Sequence, residues 1–78
     1  MPEPAAAQKI LTVLEPYFGV MMSKASLQLS CKEKGIDYNA IAKKDLAALA
    51  ESIEAKITIF LGTDKAKEVA ASLKSINV

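Results

Sequence analysis

Seven apolar residues, Leu46, Leu49, Ala50, Ile53, Ile57, Phe60 and Leu61, recur at i, i+3, i+4, i+7, i+11, i+14 and i+15. That spacing places them on one face of a helix with 3.6 residues per turn. It predicts a helix over about 44–61, with Asp45 in its first turn, where a negative charge suits the dipole, and Gly62 as its stop. "KITIF" at 56–60 alternates like a strand for a few residues but lies at the end of this longer pattern, so it reads as helix. No alternating segment bounded by turn dipeptides occurs elsewhere.

Glycine and proline divide the rest of the chain. Pro4 suits a first helical turn, where its missing N–H is not needed. Ala7, Ile10, Leu11 and Leu14 then give a buried face for a helix over about 5–14. Pro16 clashes with the carbonyl four residues back, so it either starts a new helix or kinks a long one; a break near Glu15 is expected, with a second helix over about 17–34. Gly35 followed by Ile36 matches a Schellman ending, with Ile36 folding back towards Cys31. Residues 35–43 read as a connector, with Asp37 and Asn39 as turn formers. Ile36, Tyr38 and Ile41 pin it to the core, and a short turn of helix is expected near Asn39. Thr63 reads as the N-cap of a fourth helix over about 64–76, with Ala66, Val69, Ala70, Leu73 and Ile76 facing inward. The expected fold is therefore all-α: a single domain over 1–78, a compact bundle of four short helices with the second helix central.

The reason for placing that helix centrally is its serines. On a helical wheel Phe18, Met22, Ala25 and Leu29 form one apolar stripe, and Val20, Leu27 and Cys31 form another nearly opposite. Gly19, Ser23, Ser26 and Ser30 fall between them. With both flanking stripes buried, the serine stripe is buried too, and its small side chains let another backbone approach. Serine hydroxyls inside a helix can bond the carbonyl four residues back. The exposed face is then that of Lys24, Gln28 and Lys32. Four short helices can hardly surround a central helix in so small a chain, so a second copy is expected to cover part of this helix. The candidate interaction residues are Gly19, Val20, Ser23, Ser26, Leu27, Ser30 and Cys31.

Composition narrows the function classes. The chain of 78 residues has one cysteine, so it cannot form an internal disulfide, and it has no histidine, the commonest zinc ligand and acid/base residue. A core of this size is marginal without a staple, which leaves oligomerisation. No nucleophilic serine has a recognisable base beside it, and no Glu-x-x-His pairs indicate a dinuclear metal site; the reading is non-enzymatic, with no cofactor. Ten basic and nine acidic residues give a formal charge of +1, and all ten bases are lysine. That balance offers nucleic acid neither a broad attracting field nor an arginine fork. No apolar run approaches the ~20 residues that span a bilayer. The first residues lack the basic leader of a signal peptide, and a lone thiol fits a reducing compartment, so the expected location is cytoplasmic.

The pattern of Leu14, Pro16, Phe18 and Gly19, the Asp45-Leu46 helix start and the Phe60-Leu61-Gly62 break resembles small bacterial all-helical domains of uncharacterised function, some of which are appended to signalling proteins. The resemblance spans about residues 14–76. It implies an interaction or regulatory accessory role and brings no catalytic residues with it. The expected function is accordingly a protein–protein interaction or regulatory module that works by helix-face burial and forms a homodimer. The alternative is a binder of a small apolar ligand, such as an acyl chain, between helices.

Overall fold

The computed structural model describes residues 4–77. Three α-helices account for most of them: α1 over Ala5–Lys34, α2 over Leu46–Leu61 and α3 over Thr63–Lys74. Two 3₁₀ turns, Tyr38–Ala40 and Lys43–Asp45, lie between α1 and α2. No strand occurs among the described residues, so the protein is all-α, but with three helices rather than four.

The expected first and second helices are one element bent at a different place. Pro16 lies inside α1, and the only non-helical residue within it is Gly19, at φ 79° and ψ 173°. Proline's own φ is compatible with a helix, and its penalty is a lost donor and a crowded carbonyl. A sharp corner needs a residue that tolerates positive φ with extended ψ, a region open essentially only to glycine. Gly62 repeats this geometry at φ 84° and ψ 165°, ending α2 and opening α3 as the single residue between them. It donates to the Thr58 carbonyl at 2.9 Å and accepts from the Ala66 N–H at 3.0 Å. Gly62, rather than Thr63, is therefore the residue that precedes α3. A Cβ at either corner would meet no atom within 4 Å, so backbone conformation, not crowding, calls for glycine there.

Other boundaries follow the local chemistry. Gly35 is left-handed at φ 67°. Ile36 N–H donates to the Cys31 carbonyl at 2.8 Å and Gly35 N–H to that of Lys32 at 3.4 Å, the two bonds of a Schellman ending. In the connector, the Asp37 carboxylate accepts from Asn39 N–H at 2.9 Å and that of Asp45 from Ala42 N–H at 2.9 Å. These bonds fix the two 3₁₀ turns and deliver the chain into α2.

The core draws on every helix. The first half of α1 supplies Ala7, Ile10, Leu11 and Leu14, and the second supplies Leu27 and Cys31. Leu46, Leu49, Ala50, Ile53 and Ile57 come from α2, Ala66, Val69, Ala70 and Leu73 from α3, and Ile41 from the connector. Ile76 lies beyond α3 and is only partly buried. The second half of α1 is not central. Ser23, Leu27, Ser30 and Cys31 face inward, whereas Met22, Ala25 and Leu29 are exposed. Only one of its two apolar stripes is covered, because the corner at Gly19 leaves no further helix to lie over the other.

Candidate interaction surface

The seven residues expected to form an interaction face separate into two groups. Ser23, Leu27, Ser30 and Cys31 are closed off within one chain, Ser26 is half-buried, and Gly19 and Val20 are exposed. The chain's own packing thus covers most of the small-residue stripe, and no second copy is needed to do so. Of these seven, Gly19 and Val20, with part of Ser26, are what a partner can reach without opening the core.

The buried stripe is packing surface with unusual polarity. Neither the Ser23 nor the Ser30 hydroxyl has a hydrogen-bond partner; the expected back-bond to the carbonyl four residues earlier is made by neither. Thr12 and Thr58, on more open parts of α1 and α2, do make that bond, to the Gln8 and Glu54 carbonyls. Cys31 lies two turns of helix from Ser23, near the end of α1. Burial, and after it the negative charges of Asp45 and Asp37, push its thiol above the ordinary value. This is the environment of an inert buried cysteine rather than a reactive thiolate.

Among the described residues, the exposed large apolar side chains other than Leu29 all lie within three residues of a glycine corner in sequence. Phe18, just before the first corner, meets Phe60, just before the second, edge to face at a centroid distance of 6.3 Å. Tyr17 stands 6.4 Å from Phe18. This contact brings the end of α2 against the bend of α1. Around it Met21 is 85 % exposed, Ile59 84 %, Phe60 67 % and Val20 63 %, with Met22 and Tyr17 more than two-fifths exposed. Phe60 was expected in the core. Its helical face is the buried one, but at this end of α2 the face has run past the helices that cover it.

No charged residue occurs in either stretch that builds this surface, "PYFGVMMS" at 16–23 or "ITIFLGT" at 57–63. Glu15 and Lys24 bound the first, and Lys56 and Asp64 bound the second. These are neighbours along the chain; of them, the Lys56 ammonium is turned to Glu33.

A polar cluster joins the other end of α1 to α2. The Lys56 ammonium donates to the Glu33 carboxylate at 2.6 Å and to the Ser52 hydroxyl at 3.0 Å, and Ser52 donates to the same carboxylate oxygen at 3.2 Å. A serine beside a lysine can be a nucleophile with its base. Here the lysine spends its donors on a carboxylate and on the serine itself, so it has no lone pair aimed at the hydroxyl. The cluster works as a clasp between helices. Its i,i+4 half, Ser52 and Lys56, is visible in the sequence, but Glu33 is 19 residues from Ser52 and no local signal announces it.

Among the described residues no group of three or more potential metal-ligating side chains occurs, no pocket opens, and no helix is long and apolar enough to cross a membrane. In comparisons with family models, curated proteins and solved structures, nothing matches the chain.

Proposed function

We propose that this protein is a non-enzymatic interaction module that buries helix-borne apolar surface against another protein chain, using the face around its two glycine corners. The observation that carries this reading is the placement of Met21 and Ile59. Both are almost fully in water beside an aromatic contact, although the same chain buries serine hydroxyls. Isolated exposed apolar residues are ordinary on a protein surface, but several of them within a few residues of two touching aromatic rings are the pattern expected of a contact site. Methionine suits such a face because its flexible thioether adapts to a partner's shape. Of the residues first expected to interact, Gly19 and Val20 are the exposed ones that remain in this role.

Photo-crosslinking tests the reading directly. A benzophenone amino acid placed at Met21 or Ile59 should give adducts of defined mass when the full chain is irradiated in the cells that make it. The same group at the exposed Glu51 should give none. Equal labelling at all three positions, or no protein adduct at any, would defeat the proposal.

A further inference from the structure

We infer that the occupant of the corner face is a second copy of this chain, seated face to face about a two-fold axis. This rests on the interaction reading above and adds the identity of the partner. Three observations carry it.

The first is area. The exposed parts of Tyr17, Val20, Met21, Met22, Ile59 and Phe60 amount to roughly 780 Å² of residue surface, taking about 200 Å² for each large residue. A specific interface of standard size needs about 800 Å² from each partner, whereas the largest apolar patch of an ordinary monomer is about 300–600 Å². On a molecule with 4736 Å² of accessible surface, this face is close to what one side of a stable dimer requires.

The second is charge. In an isologous contact every residue meets the same surface on its partner, so a face carrying one sign of charge would repel itself. Residues 16–23 and 57–63 carry no charge, so the two stretches offer a second copy nothing to repel. An acidic or basic partner would be better served by a rim of one sign. A lipid surface would also favour an excess of lysine beside the apolar segments, whereas the residues next to them in sequence include the acidic Glu15 and Asp64.

The third is the economy of a small chain. Below about 70–80 residues a single core rarely supplies a comfortable margin of stability, and disulfides, metals or oligomerisation make up the difference. The lone cysteine is buried and free, and no metal-ligating cluster occurs among the described residues.

Sedimentation equilibrium of the full chain from about 1 to 300 μM tests the inference, a range that brackets the affinities expected of small interfaces. The mass should rise from 8.3 kDa towards twice that value. Met21→Lys and Ile59→Lys should each weaken association at least about tenfold, as loss of a central apolar anchor does. Lys44→Glu, far from the corners in sequence and exposed, should leave it unchanged. Both lysine variants begin from side chains in water; circular dichroism confirms that they fold, and Ile59→Gln serves as a milder replacement. An 8.3 kDa species at every concentration overturns the inference, as does a dimer indifferent to both lysine substitutions. Monomers that bind phosphatidylcholine vesicles in an Ile59-dependent manner would assign the face to lipid and overturn it too. A crosslink from Met21 to a different protein, with none between copies, would overturn the dimer while leaving the interaction reading intact.

Discussion

The inner face of the second half of α1 and the outer face at the glycine corners invert the usual distribution of polarity. Inside are Ser23 and Ser30, fully buried with unpaired hydroxyls. Outside are Met21, Ile59 and Phe60. Burying an unpaired hydroxyl costs about 1–3 kcal/mol, and leaving a large apolar side chain in water forgoes about 1.5–3 kcal/mol. A chain selected for the stability of its monomer alone would exchange the two. The contrast therefore separates two demands. The inner face needs small side chains so that helices approach closely. The outer face leaves large apolar side chains in water.

The sharpest way to break the comparison is to change the inner face in opposite directions. Ser30→Leu should destabilise the protein by about 1–3 kcal/mol, because extra methylenes in a packed interior force neighbouring side chains and backbone apart. Ser30→Ala keeps the small volume and removes the unpaired oxygen, so it should stabilise by about 1 kcal/mol. Urea unfolding measures both. A neutral leucine variant would mean that the stripe is loosely packed. A destabilised alanine variant would mean that the hydroxyl is bonded in solution.

Much of this inner face was legible in the sequence. The period of Leu46, Leu49, Ala50, Ile53 and Ile57, and that of Ala66, Val69, Ala70 and Leu73, identified buried positions because each series lies along a helix packed over that length. Gly35 followed by Ile36 specified its cap through local bonds alone. The bend of α1 was not legible in the same way. Pro16 and Gly19 both disrupt helices, and choosing between them requires knowing that the chain turns through a φ near +80°, which is set by where α2 ends. Phe60 failed for a related reason: periodicity gives the direction of a side chain but not the length of the neighbour that must cover it. The candidate surface thus emerged from the ends of helices, where the periodic signal carries least information.

The outer face should respond more weakly to mutation when stability is measured. Met21→Lys and Ile59→Lys should each change the unfolding free energy of the monomer by no more than about 0.5 kcal/mol, as substitutions in water generally do. Thermal melts at protein concentrations below any association provide the check. A loss comparable to that of Ser30→Leu would place these side chains inside the folded unit and erase the distinction between the two faces.

The smallest effect is expected at the clasp, which lies between the two faces in character: Ser52 is buried, Lys56 partly so, and Glu33 is in water. The hydrogen bond from Lys56, aided by that from Ser52 and by the positive charges of Lys56 and Lys34, holds the Glu33 carboxyl below its ordinary value of 4.5. A carboxylate whose value is depressed on folding contributes stability above its unfolded value and loses it as pH falls through the folded one. The difference in melting temperature between the parent and Glu33→Gln should therefore be present at neutral pH and should close on acidification below the ordinary carboxylate range. Solvent around Glu33 keeps the difference small, as for other exposed ion pairs, and added salt should shrink it further. A gap that widened in acid would reverse the sign. It would mean that Glu33 is better tolerated neutral and that Ser52 and Lys56 hold the helices together without it.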